Sequence, residues 1–133
     1  MYAFLNIFFI VFHTFLILFN LFGWIWKPVR KANLITLSLT GASWFLLGIF
    51  YGMGYCPLTD WHYNVLYKIG KTDLPLSYIQ YLLETFFKLE VSQSVTDKCT
   101  LILYFIALAC SVYFNYHRNI RRLLTRLTKK IYF

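Results

Sequence analysis

The sequence predicts an all-α integral membrane helical bundle with three transmembrane helices. Of 133 residues, 59% are hydrophobic and 14% charged, whereas a soluble domain carries about a quarter charged residues. Three uncharged runs reach or approach the roughly 20 apolar residues that cross a bilayer. The charges also segregate, with all 5 acids inside one central stretch and most of the 13 basic residues outside it.

The first span covers about 4–26, from Phe4 to Trp26, and ends at Lys27-Pro28. It has no basic leader and no small-residue cleavage pattern after it, so it reads as a permanent span and not a signal peptide. The second covers about 34–55 and stops at Cys56-Pro57. The third covers about 96–116 and ends at His117-Arg118. No repeat or linker divides the chain, so residues 1–133 are expected to form a single membrane domain.

Orientation follows from charge. Lys27, Arg30 and Lys31 follow the first span, and the tail 117–133 holds Arg118, Arg121, Arg122, Arg126, Lys129 and Lys130; neither segment has an acid. Basic flanks stay cytoplasmic, which places the N-terminus outside and the C-terminus inside. The same charge in a soluble chain would suggest nucleic acid, but no recognition motif accompanies it and no nucleic-acid partner is expected.

The central segment 56–95 carries Asp60, Asp73, Glu84 and Glu90, with Asp97 just beyond it. It is expected outside the membrane, as a short helix and then an amphipathic interfacial helix. Thr59 is placed to cap the first, with Asp60 in its first turn and Gly70 closing it after Ile69. The second is expected from Asp73, with Pro75 in its first turn. Leu76, Ile79, Leu83 and Phe86 would form its apolar face, opposite Ser77, Gln80, Glu84 and Lys88, with Glu84 and Lys88 spaced as a pair. A re-entrant path for residues 74–90 stays open.

Polar and small residues within the spans mark the seams. Asn6, His13 and Asn20 recur every seven residues, away from the stripe Phe8, Phe12, Phe15, Phe19 and Phe22. Thr36, Thr40, Trp44, Gly48 and Gly52 form a row on the second span, where Gly48 and Gly52 would permit close helix packing. Ala107, Ser111 and Asn115 make a matching row on the third. Hydrogen bonds between helices account for most such residues. His13, the one ionisable group deep in a span, is also a candidate ligand-binding residue with Asn6, Asn20 and Trp44.

Cys56 and Cys99 fall at the outer ends of two spans and could pair if that side is oxidising. No spacing of His, Cys or acidic residues reads as a metal site, and no catalytic constellation is visible. Cys56, Pro57, Thr59, Asp60, Trp61 and His62 form a compact motif at the outer mouth.

That motif carries a resemblance. Cys56-Pro57-Leu58-Thr59-Asp60-Trp61-His62, preceded by Gly52 and Tyr55 and followed by Leu74-Pro75-Leu76-Ser77-Tyr78-Ile79, resembles the bacterial integral membrane proteins grouped as domain of unknown function 2784. The likeness runs from His13 into the third span. It implies a compact helical bundle in a bacterial cytoplasmic (inner) membrane and supplies no activity or cofactor. Many members resembling this chain carry glutamate at the position of His62, so no role of that acid transfers.

Two functions are expected from these residues. One is a non-enzymatic accessory or assembly subunit of a larger membrane complex, whose partners are the lipid bilayer and another membrane protein or a second copy. The alternative is a haem-, metal-, quinone- or lipid-binding protein that uses His13.

Overall fold

The computed structural model describes residues 1–132, which form helices and turns with no strand among them. Helix α1 spans Tyr2–Phe22 and tightens into 3-10 turns at Gly23–Ile25 and Lys27–Val29. Helix α2 spans Arg30–Ala42, widens through a π-turn at Ser43–Leu47 and continues as α3, Gly48–Tyr51. Two shorter helices follow: α4, Pro57–Lys68, and α5, Tyr78–Leu82, which runs into a π-turn at Leu83–Phe87. Helix α6 spans Gln93–Tyr132.

Three stretches, Tyr2–Ile25, Lys27–Tyr51 and Gln93–Tyr132, are long and apolar enough to cross a membrane. The chain is therefore an all-helical, multi-pass membrane protein. The phenylalanine stripe of α1 faces outward, with Phe8, Phe12, Phe15 and Phe22 exposed on the bundle surface. In a bilayer such a face meets acyl chains at no cost.

Several boundaries differ from expectation for local reasons. The second span ends at Tyr51 because Gly52 takes φ 106°, a conformation open to glycine alone at little cost. Helix α4 begins earlier than Thr59: Cys56 is its N-cap and Pro57 stands in its first turn, where the missing N–H is harmless. Thr59 thus sits inside the helix and caps nothing. Gly70, at φ 90°, closes α4 as expected.

Helix α5 starts at Tyr78 and not at Asp73. Leu74 precedes Pro75, and a residue in that position is pushed out of the helical region. The Tyr63 hydroxyl then donates to the Pro75 carbonyl at 2.7 Å, holding this connection against α4. At the far end Lys88 adopts a left-handed φ of 51°, so the expected Glu84–Lys88 pair gives way to a Gln80–Glu84 hydrogen bond of 3.0 Å. The buried face of α5 is Tyr78 and Tyr81, while Leu76 and Phe86 are exposed, against expectation.

The largest difference is α6. Its helix does not stop where the apolar run stops but continues through the basic tail to Tyr132. At 1.5 Å per residue it is about 60 Å long, roughly twice the hydrocarbon thickness of a bilayer.

Cross-contacts fix the directions. Tyr104 of α6 meets Leu37 of α2, and Asn115 meets Arg30, so these helices run antiparallel. Cys56 lies by His13, His62 by Asn6 and Lys68 by Tyr2, so α4 runs back along the first half of α1. Two cores result. Leu37, Tyr104 and Ala107 form one, flanked by Leu21 and Trp44; Leu66, Tyr78 and Tyr81 form the other, flanked by Ile17 and Tyr63.

Candidate functional site

The polar row of α1, Asn6, His13 and Asn20, faces two different neighbours. Asn20 donates to the Thr40 hydroxyl of α2 at 3.0 Å. Asn6 and His13 face α4 and α5 instead, and with them they enclose a cluster of imidazole and phenol rings.

His62 is completely buried. Its Nε2 lies 2.7 Å from Asn6 Oδ1. That oxygen only accepts, so Nε2 carries the proton and donates, leaving Nδ1 as a bare acceptor. His13 stacks on the Tyr78 ring with centroids 4.0 Å apart. Its Nε2 makes a long contact of 3.8 Å with Cys56 Sγ. Tyr78 also reaches His62, at 5.6 Å between centroids, so one phenol bridges two imidazoles that the sequence placed at different depths.

Burial dominates the electrostatics of α4 and α5. It lowers the His62 pKa from 6.5 to about 4, and the nearby Lys71 ammonium adds to the shift. It pushes the Tyr63 and Tyr78 phenols well above their ordinary value. All three side chains are neutral at physiological pH. His13 Nδ1, His62 Nδ1 and the Tyr78 hydroxyl find no hydrogen-bond partner within the protein. Buried polar atoms are ordinarily paired, so this concentration marks the cluster as the candidate site. Among the described residues, His, Cys, Asp and Glu nowhere gather in a group of three or more that could hold a metal ion.

The other singled-out residues separate from this cluster. Trp44 packs on Tyr104 at 4.9 Å, in the other core. Ala107 and Ser111 are buried on α6, and Asn115 donates to both the Ser111 and Arg30 carbonyls. Gly48 serves a turn, since a Cβ there would crowd the Met53 backbone, and Gly52 has open space around it. Neither glycine draws two helices together.

Of the outer-mouth motif, Cys56 and His62 face inward, whereas Asp60 and Trp61 are exposed. Cys56, Cys99 and Cys110 are free, so the expected pairing of Cys56 with Cys99 is absent: Cys56 turns toward His13, and Cys99 is exposed on α6.

Other contributors were not singled out from the sequence. Tyr78 and Tyr81 escaped because α5 was oriented by its Leu, Ile and Phe spacing. Asn33 is fully buried and donates to the Phe19 and Asn20 carbonyls at 2.6 and 3.3 Å, closing the C-terminal end of α1. Gly23 makes room for it. Asn33 stands seven residues before Thr40, the same interval as on α1, and that signal was available.

Residues 3–116 match the model of a family described as Protein of Unknown function (DUF2784). The match carries no organism, so the bacterial source implied by the earlier resemblance is not borne out by it. No curated protein and no solved structure matches the chain.

Proposed function

We propose, from the premise that this chain belongs to the DUF2784 family, that it is a non-enzymatic accessory or assembly subunit that docks another membrane protein through the end of α6. The observation that carries this reading is the unbroken run of α6 beyond the bundle. Ile120, Leu123, Leu124, Leu127 and Ile131 are all exposed there and share one face of the helix. The opposite face is basic. A helix that continues straight out of its span carries this stripe away from the acyl chains, where water would meet it uncovered.

Charge argues for a different protein over a second copy. Every acid lies between Asp60 and Asp97, so a parallel copy would bring arginine to arginine. A partner with an apolar groove edged by carboxylates fits. Shared placement of Lys27, Arg30, Lys31 and Arg118 around one concavity supports the orientation with this end cytoplasmic and the N-terminus outside. In that orientation α4 packs beside the outer half of α1, from the level of His13 to that of Tyr2.

The test is purification from native membranes in mild detergent, with intact chain and with chain ended after Arg118. A partner recovered in stoichiometric amount with the first and lost with the second is expected. Equal recovery with both would remove the docking role.

A second reading rests on the unpartnered atoms of His13, His62 and Tyr78. Such a cluster suits a small polar ligand or a proton path inside α1, α4 and α5. An absorbance spectrum and extraction of the purified protein test it, and His13→Leu should then abolish whatever is recovered.

A further inference from the structure

At the basic end of the bundle, a concavity of about 580 Å³ opens between the α1–α2 connection and α6. Lys27, Arg30 and Lys31 line it from one side, and His117 and Arg118 from the other, over the Phe114 ring. No acid occurs between residues 1 and 59 or between 98 and 133, so four basic side chains share this space without a carboxylate. Like charges held this close repel one another and together attract an anion.

Arg30 is held in place before any anion arrives. Its Nε donates to the Trp24 carbonyl at 2.8 Å and its Nη2 to the Ile25 carbonyl at 3.5 Å. The guanidinium lies 4.8 Å over the Phe114 ring, and Trp24 stacks on the same ring at 5.4 Å. Two of its five N–H groups are thereby engaged, and three remain. Asn115 ties α6 to the Arg30 carbonyl at 3.0 Å, fixing the two walls together. A planar guanidinium with free N–H groups matches phosphate oxygens. Basic pockets between spans at a cytoplasmic face suit lipid headgroups.

We infer that this concavity binds one phosphate group per chain, on Arg30 with Lys27, Lys31 and Arg118 around it. The phosphate is that of an anionic phospholipid headgroup or a free phosphate, and it would brace the ends of all three spans. This site is independent of the partner docked on α6.

The test uses the full chain in neutral detergent, with lipid adducts counted by native mass spectrometry. The probes are phosphatidylglycerol, phosphatidylcholine and inorganic phosphate. One phosphatidylglycerol per chain is expected, bound at least about tenfold tighter than phosphatidylcholine. The combined variant Lys27→Gln, Lys31→Gln, Arg118→Gln should erase that preference; its three positions are exposed, so folding is not at risk. At about fivefold per cation near a surface, the loss should exceed tenfold. The control Arg126→Gln, Lys129→Gln, Lys130→Gln removes equal charge outside the concavity and should change binding less than twofold. Inorganic phosphate that binds as tightly, and is lost with the first variant alone, would identify free phosphate as the ligand of the same site. Equal affinity for both lipids without phosphate binding, or equal loss in both variants, would overturn the inference.

Discussion

The seam between α2 and α6 and the packing of α4 and α5 on α1 bury polar groups to opposite effect. In the seam the groups find partners: the Tyr104 hydroxyl donates to the Leu37 carbonyl at 2.8 Å, and Asn115 bridges Arg30 and Ser111. Around His13, His62 and Tyr78, a buried atom of each finds none, nor does the neighbouring Tyr81 hydroxyl. One region is stapled and the other is poised. Within a membrane a paired polar group resists separation, since hydrocarbon offers no replacement partner. An unpaired one costs stability unless it serves another purpose.

The largest expected effect breaks the stapled region. A Cβ on Gly41 would collide with the Tyr104 hydroxyl, so Gly41→Ala should destabilise the protein by about 1–3 kcal/mol, the usual range for overpacking. Tyr104→Phe removes the colliding oxygen together with its hydrogen bond. Alone it should cost about 0.6–1.7 kcal/mol. In the double variant the Gly41→Ala penalty should largely vanish. Unfolding in mixed micelles measures all three, and strictly additive losses would show that the two residues do not meet.

The poised region is sharpened by pH. His62 has a folded pKa near 4 against an ordinary 6.5, so the unfolded chain takes up its proton first as pH falls. Stability is complete above about pH 6.5 and is lost progressively toward pH 4. His62→Gln should flatten this dependence in detergent. An unchanged slope would assign it to another group.

A smaller effect concerns the thiols. With no disulfide present, Cys56→Ser should shift stability by less than about 1 kcal/mol, and alkylation without reductant should label both Cys56 and Cys99. Protection of both, released by reductant, would restore the pairing expected from sequence.

Legibility in the sequence followed the same division. The three spans were readable because hydropathy over some 20 residues is a strong signal. The 4-3-4-3 phenylalanine spacing likewise identified an outward face. Hydropathy marks the span and not the helix: α6 continues past Tyr116 because no Gly or Pro follows Gly70 and Pro75 to stop it, and Arg, Leu and Lys all favour helix. Within the cluster, His13 and Asn6 were visible as polar residues in an apolar run. The contact of His62 with Asn6 spans 56 positions, and no local period encodes it. Tyrosine on α5 gave no clear side, since it can face water or core with its hydroxyl partnered or not.

The docking role of α6 is tested most directly by labelling a single cysteine placed at Leu124, with Cys56, Cys99 and Cys110 replaced by serine. Native membranes are compared with liposomes holding the purified chain in the same lipids. Protection in native membranes and full reactivity in liposomes are expected if a protein covers the stripe. Protection in both would mean that lipid covers it, and reactivity in both that nothing does; either result would contradict the proposed partner.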